Sequence, residues 1–276
     1  MIYEKVELNE WFDGLKGTGE GATLHAYVQD NSKEIEIDRR RPTVIICPGG
    51  GYGYTSDREA EPVALRFMAE GYNAFVLRYS VAPHRYPQQL LELSAAVAYV
   101  RRRAEELHVD EDKVIVCGFS AGGHLAGSLG VLWQEDFIAD RLGLAYGENR
   151  PDRLILSYPV ITGGAFAHKG SFDNLLGEEA SKEAREQLSL ENLVGPLTPP
   201  TFIWHTYEDT AVPVKNSLLF ADALNAQHIP FELHIYAKGG HGLSLCDAST
   251  AAPLKPDLIN PHVATWFKLV IEWIAE

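Results

Sequence analysis

The feature that most restricts the fold of this chain is a regular alternation of β-branched runs with longer helical patterns. Strand-like runs occupy residues 43–47, 73–79, 113–117, 154–159, 201–206 and 231–236, and the run at 43–47 is continuously β-branched up to Cys47. The helical patterns occupy about 87–107, 213–227 and 261–275. Continuous apolar runs are typical of strands buried on both faces. The alternation therefore predicts an α/β fold, with a mostly parallel central sheet and helices on both faces.

Two parts of the chain depart from this alternation. Residues 3–8 and 22–28 alternate polar and apolar side chains more clearly, which favours antiparallel strands at one edge of the sheet. Residues 160–200 are interrupted by Gly and Pro and include one acidic helical stretch. This composition indicates a small lid-like excursion over the strand ends rather than a second domain. We therefore expect a single domain over residues 1–276.

Composition limits the partners and the compartment. A net charge of −14 repels polyanions, so we expect neither nucleic acid nor a membrane as a partner, and a neutral small molecule is favoured. The first residues are charged throughout and lack an apolar signal segment, which predicts a cytoplasmic protein. The 3 cysteines have no metal-ligand spacing and are expected to be buried, reduced thiols. The sequence leaves a homo-oligomer open.

The strongest chemical motif is G-F-S-A-G at residues 118–122. It follows an apolar strand and precedes a helical stretch, which is the context that a nucleophilic serine on a sharp strand-to-helix turn requires. Glycines on both sides relieve the crowding of such a turn. We interpret Ser120 as a nucleophile, and the alternative is a purely structural Gly-rich turn.

A serine hydroxyl is a weak nucleophile, so it needs a base and an acid that orients the base. In this kind of site they follow in the order Ser, Asp or Glu, His, each on a loop after a strand. The strand at 201–206 is followed by Glu208 and Asp209, and the strand at 231–236 by His241 between glycines. We favour Asp209 as the acid and keep Glu208 as the alternative.

The remaining candidates are assigned other roles. His205 and His234 lie inside strands, where core packing or hydrogen bonding is expected. His124 lies one helical turn after Ser120 and is interpreted as a residue that only occupies the helix face, without a role in the reaction. Asp247 comes after His241, which breaks the expected order.

Donors for a developing oxyanion are predicted in the segment CPGGGYGY, residues 47–54, here called the glycine loop. Three consecutive glycines expose backbone N–H groups and allow a substrate to approach, and Ala121 supplies a further N–H just after Ser120. The segment is not a phosphate loop, because no G-x-x-x-x-G-K-[ST] pattern follows. The alternative is a plain tight turn.

Together these motifs resemble the α/β-hydrolase superfamily, and within it the esterase branch of hormone-sensitive-lipase-like and acetyl-xylan-esterase-like enzymes. The resemblance rests on PGGGY, FVLRYSVAP, GFSAGGHLA, D-x-x-V-P and a later GGHG, and it covers most of residues 42–245. It implies Ser120 as the nucleophile, Asp209 as the acid and His241 as the base. The implied oxyanion donors are Gly50, Gly51 and Ala121.

The resemblance has two departures. Pro48 occupies a position that is His in the lipase-like relatives, so the anchoring of the glycine loop must differ. Only about 40 residues precede the first central strand, which is too few for the helical cap of that branch and favours an open site with small acyl groups.

The implied function is a serine carboxylesterase for short-chain acyl esters, with acetyl esters of sugars or oligosaccharides foremost. This chemistry requires no metal or organic cofactor. An aryl formamidase or a serine peptidase of the same fold would use the same residues. A non-catalytic hydrolase-fold protein that binds a ligand is the alternative from another functional class.

Overall fold

A single sheet of eight strands forms the centre of a computed structural model that describes residues 1–16, 21–252 and 255–276. The strands are β1 (Ile2–Glu7), β2 (Thr23–Val28), β3 (Arg41–Cys47), β4 (Asn73–Arg78), β5 (Val109–Phe119), β6 (Arg153–Ser157), β7 (Thr201–Thr206) and β8 (Phe231–Tyr236). Their spatial order is β1-β2-β4-β3-β5-β6-β7-β8.

Strand pairing confirms the predicted fold class. β1 pairs antiparallel with β2, and β2 pairs antiparallel with β4, so the two strands predicted at an edge do form it. All other neighbouring pairs, from β4 and β3 through to β8, are parallel. The carboxyl ends of β3, β5, β6, β7 and β8 therefore meet at one edge of the sheet, where ligands of open α/β sheets bind.

Helices cover both faces of the sheet. They are α1 (Leu8–Trp11), α2 (Glu61–Ala69), α3 (Gln88–Arg102), α4 (Ala121–Leu132), α5 (Asp136–Leu142), α6 (Lys169–Leu176), α7 (Lys182–Glu186), α8 (Lys215–Ala226) and α9 (Thr265–Ala275). Successive residues of β3 show the division: Ile45 packs into the core shared with α3, α4 and α8, whereas Val44 packs into the core shared with α2 and α9. No helix within the described ranges is long and apolar enough to cross a membrane.

Several helix predictions need correction. α9 begins at Thr265 rather than near residue 261. α3 ends at Arg102 rather than near Leu107, although Ala104 and Leu107 remain buried in the turn that follows. The apolar spacing continued because these turn residues also face the core, so periodicity alone could not locate the helix end. The segment at 160–200 contains both α6 and α7 instead of one acidic helix.

The arginines at the end of α3 and just after it form ion pairs. Arg101 pairs with Asp152 at 2.7 Å, and Arg103 pairs with Glu4 at 3.0 Å. Their guanidinium groups therefore connect the helix end to neighbouring segments of the chain. All three cysteines are buried and free, as expected.

Candidate active site

Ser120 occupies the sharp turn between β5 and α4. Its backbone has φ +53° and ψ −118°, a strained conformation for a residue with a side chain. Gly122 permits this turn, because a Cβ atom there would lie 2.1 Å from the carbonyl oxygen of Cys47. The turn presents Ser120 at the carboxyl edge of the sheet, with the first turn of α4 directly behind it.

A continuous hydrogen-bonded chain joins Ser120 to two residues on other strand ends. Ser120 Oγ lies 2.7 Å from Nε2 of His241, and Nδ1 of His241 lies 2.6 Å from Oδ2 of Asp209. Asp209 follows β7 and His241 follows β8, so the parallel sheet brings the three side chains together. The imidazole is partly exposed, whereas the carboxylate is fully buried.

Asp209 is fixed on both of its oxygens. Oδ1 accepts hydrogen bonds from the backbone N–H groups of Ala211 and Val212, at 3.0 and 2.9 Å, and Oδ2 also lies 3.2 Å from Nε2 of His205. Burial alone would raise the pKa of Asp209, but the hydrogen bonds from His205, His241 and Val212 together hold the pKa below its ordinary value. The group therefore stays a carboxylate, and His205 has the hydrogen-bonding role expected of it.

The other two acidic candidates lie elsewhere. Glu208 forms an exposed ion pair with Lys238 and accepts a hydrogen bond from the N–H of Gly239. Asp247 pairs with Arg66 at 2.6 Å. Of the three carboxylates considered, the structure brings Asp209 to His241.

The glycine loop lies beside Ser120. Gly50 has φ +131°, and a Cβ atom there would lie 2.1 Å from the carbonyl oxygen of Tyr54, so the position requires glycine. Within the described part of the chain, the N–H groups of Gly50 and Gly51 have no hydrogen-bond partner. Ala121 is the first residue of α4, where N–H groups lack intrahelical partners.

Side chains of other elements anchor the glycine loop, which has Pro48 where the lipase-like relatives have His. The hydroxyl of Tyr79 donates to the carbonyl oxygen of Pro48 at 2.6 Å. Nδ2 of Asn174, on α6, donates to the carbonyl oxygen of Gly51 at 2.9 Å. The Tyr52 hydroxyl lies 2.9 Å from Nδ1 of His124. The loop is thus tied to the residue that follows β4, to α4 and to the 160–200 segment.

The prediction that His124 only occupies the helix face is wrong. The side chain is buried, and its Nε2 lies 2.9 Å from the carbonyl oxygen of Leu188. A carbonyl can only accept, so Nε2 carries the proton and Nδ1 accepts from the Tyr52 hydroxyl. Burial lowers the pKa of His124 to about 4, which keeps the ring neutral. Both partners are more than 60 residues away, so no local pattern could have indicated them.

Glu59 is a further residue that sequence reasoning missed. Its buried carboxylate accepts from the N–H of Gly49 at 2.8 Å and from the hydroxyl of Tyr158 at 2.6 Å. The same hydroxyl accepts from the N–H of Ser244 at 2.9 Å, and the Tyr158 ring packs edge-on against His241 with centroids 5.1 Å apart. In the sequence Glu59 is one of several charged residues just before α2, so no local pattern distinguished it.

A cavity of about 430 Å³ opens in front of Ser120 and His241. Its walls are formed by Gly50, Gly51, Tyr54, Ser56, Arg58, Glu59, Ser120, His168, Gly170, Asn174, His241 and Gly242. Among these, four are glycines and none has an aliphatic side chain. A larger groove of about 710 Å³ lies between α2 and residues 245–249, away from Ser120 and His241. Within the described residues, no cluster of three His, Cys, Asp or Glu side chains could hold a metal ion.

The chain is similar to several known proteins. A family model described as BD-FAE matches residues 27–224. The chain is 42% identical over 230 residues to an endo-1,4-beta-xylanase B of Butyrivibrio fibrisolvens, covering 81% of this chain and 35% of that protein. It is 30% identical over 205 residues to an acetylxylan esterase of Xylanibacter ruminicola, covering 72% of this chain and 40% of that protein.

A solved structure extends this similarity over nearly the whole chain. The crystal structure of an acetyl ester-xyloside bifunctional hydrolase from Caldicellulosiruptor lactoaceticus superimposes with a TM-score of 0.82 at 38% identity. The match covers 99% of this chain and 95% of the other. By contrast, the chain spans only 35% and 40% of the lengths of the xylanase and the acetylxylan esterase.

Proposed function

Because the chain belongs to the BD-FAE family of the α/β-hydrolase superfamily, we propose that it is a serine carboxylesterase for short-chain acyl esters. Acetyl esters of sugars or oligosaccharides are the proposed substrates. The observation that carries the proposal is the hydrogen-bonded chain from Ser120 Oγ through His241 to Asp209, at 2.7 and 2.6 Å. This is the arrangement that makes a serine hydroxyl nucleophilic at neutral pH.

In the first half of the proposed reaction, Ser120 Oγ attacks the ester carbonyl while Nε2 of His241 takes the hydroxyl proton. Asp209 orients the imidazole and stabilises its charged form. Negative charge develops on the former carbonyl oxygen, which the N–H groups of Gly50, Gly51 and Ala121 stabilise. His241 then gives its proton to the departing alcohol, and an acyl-enzyme remains.

In the second half, water enters the place that the alcohol has left. His241 takes a proton from this water, which attacks the acyl carbon and forms a second tetrahedral oxyanion at the same donors. Collapse of this intermediate returns the proton to Ser120 and releases the carboxylic acid.

The cavity walls support a short acyl group and a polar alcohol. A long acyl chain needs apolar surface to stabilise it, at about 25 cal/mol per Å² buried, and none of the wall residues is aliphatic. The polar side chains of Tyr54, Ser56 and Asn174 face the same cavity and suit a hydroxyl-bearing alcohol. The esterase and acetyl-ester activities in the names of two relatives agree with this substrate class.

The xylanase and xyloside activities in two relatives' names raise glycoside hydrolysis as a second candidate. That reaction uses a pair of carboxyl groups flanking the glycosidic bond. Of the residues that line the cavity, only Glu59 has a carboxylate, and Gly49 and Tyr158 hold both of its oxygens. These contacts favour ester hydrolysis.

The deciding experiment compares p-nitrophenyl acetate turnover by the wild-type protein and by Ser120→Ala. We expect turnover to fall to about a millionth, close to background. Equal rates for the two proteins would overturn the proposal.

A series of p-nitrophenyl esters from acetate to octanoate tests the acyl length, and we expect kcat/KM to fall as the chain lengthens. p-Nitrophenyl xyloside tests the glycosidase alternative, and turnover comparable to that of the acetate would support it.

A further inference from the structure

His168 has a fixed position at the cavity wall. It is the N-cap residue of α6, and its side chain accepts a hydrogen bond from the backbone N–H of Ser171 at 3.3 Å. The Ser171 hydroxyl lies 2.8 Å from the same Nδ1 atom. The ring lines the cavity that contains Ser120 and His241. Its Cε1 atom lies 3.9 Å from the position that a Cβ atom on Gly51 would take.

The N-cap contact indicates where the imidazole carries its proton. The Ser171 N–H is shared between the His168 carbonyl oxygen, at 3.1 Å, and Nδ1, at 3.3 Å. A backbone N–H can only donate, so Nδ1 presents its lone pair to Ser171. In the neutral ring the proton is therefore on Nε2. Burial, together with the neighbouring His241, lowers the pKa of His168, which favours this neutral form.

This Nε2–H group is a donor without an acceptor. Nothing in the described residues accepts a hydrogen bond from it, and both contacts of the ring are made through Nδ1. The acyl carbonyl is not the obvious acceptor, because Gly50, Gly51 and Ala121 already offer donors for that oxygen. A short acyl group carries no other polar atom, so the remaining acceptors of the substrate lie on its alcohol part.

We propose that His168 is a specificity-determining residue, whose Nε2–H donates a hydrogen bond to a hydroxyl or ring oxygen of the alcohol part of the substrate. This inference rests on the proposed esterase function and names the chemistry of its leaving group. The 160–200 segment thus recognises the alcohol part of the substrate, whereas the strand-end loops carry out acyl transfer. When the substrate displaces water from the cavity, a sugar offers this donor an acceptor, whereas an apolar alcohol of the same size leaves it unpaired.

Two substitutions separate this role from helix capping. In His168→Asn the side-chain oxygen can still cap α6, because Asn is a preferred N-cap residue, but the side chain is too short to replace Nε2. In His168→Gln the amide nitrogen can reach the position of Nε2, whereas the N-cap geometry is lost. The readout is the ratio of kcat/KM for an acetylated methyl xyloside to kcat/KM for cyclohexyl acetate, which has a six-membered ring without hydroxyls.

We expect His168→Asn to lower this ratio by about three- to tenfold, as the loss of one neutral hydrogen bond predicts. We expect His168→Gln to keep the ratio within about twofold of the wild-type value, since the donor is retained. An unchanged ratio in His168→Asn, or an equal fall in both variants, would overturn the assignment. If neither substrate were hydrolysed in a Ser120-dependent manner, the proposed esterase function itself would fail.

Discussion

The Tyr52 hydroxyl donates to Nδ1 of His124 across 2.9 Å, so the glycine loop is hydrogen-bonded to the helix that begins just after Ser120. Nε2 of the same imidazole donates to the carbonyl oxygen of Leu188. One buried ring thereby fixes the distance between the proposed oxyanion donors and the proposed nucleophile, and also connects both to the 160–200 segment.

Removal of this hydroxyl should destabilise the fold. In Tyr52→Phe, Nδ1 of His124 is left buried without a donor, which costs about 1–3 kcal/mol. Urea unfolding should therefore show a lower free energy of unfolding. Tyr146→Phe is the matched control, because Tyr146 is 80% exposed and its substitution should change that free energy by less than about 0.5 kcal/mol. Equal stabilities of the two variants would contradict the role of the contact.

His124 should also make stability depend on pH. Its pKa is about 4 in the folded protein, against about 6.5 for an ordinary histidine, so the unfolded chain binds a proton first as the pH falls. The stability that the neutral His124 ring contributes is fully present above pH 6.5 and is lost as the pH falls towards 4. Between pH 8 and pH 5 this loss amounts to about 2 kcal/mol.

Unfolding of His124→Gln at pH 8 and pH 5 checks this expectation, because the variant lacks the titrating ring. The fall in the free energy of unfolding should be about 2 kcal/mol smaller than in the wild type. His228→Gln, which removes an exposed histidine, should keep the wild-type dependence. Identical pH dependence in wild type and His124→Gln would show that the buried ring is protonated without penalty.

The two adjacent carboxylates after β7 provide a test of the acid assignment. Asp209→Asn leaves the size of the side chain unchanged but removes the acceptor that orients His241, so kcat should fall by about 10³- to 10⁴-fold. Glu208→Gln removes an exposed ion pair with Lys238 and should change kcat less than twofold. Steady-state turnover of p-nitrophenyl acetate measures both. A greater loss in Glu208→Gln would reverse the assignment.

The backbone of the glycine loop can be tested through Gly50. In Gly50→Ala the new Cβ would meet the Tyr54 carbonyl at 2.1 Å, and the loop must shift away from the proposed oxyanion. We expect kcat and kcat/KM to fall together by about 100-fold, because the lost interaction belongs to the transition state. Gly195→Ala is the control, since nothing lies within 4 Å of its Cβ position. A folded Gly50→Ala variant with wild-type kcat would exclude the loop from the reaction.

The sequence indicated the parts of the molecule that depend on local pattern. The bounds predicted for β7 and β8 are the observed ones, because a charged or Gly-rich loop follows each strand. The meeting of Ser120, Asp209 and His241 could be anticipated for a related reason. Parallel strands end at one edge, so residues that follow different strands become neighbours.

What the sequence did not indicate depends on pairings between distant segments. His124 and Glu59 resemble surface residues on a helix and beside a helix start, and only the tertiary structure supplies their partners. The hydrogen bond from Asn174 to the Gly51 carbonyl oxygen in the glycine loop also joins distant segments. Burial of a polar side chain is decided by which groups can satisfy its hydrogen bonds, and these groups come from other elements.

The carboxylate of Glu59 has a consequence for attempts to redesign this protein. One oxygen holds Gly49 of the glycine loop, and the other holds Tyr158, which contacts both the His241 ring and the backbone of Ser244. Substitution of Glu59 to enlarge the substrate cavity would therefore disturb two loops at once. Substitutions that alter selectivity are better placed in the 160–200 segment. Its side chains face the cavity but do not hold both the glycine loop and the loop that contains His241.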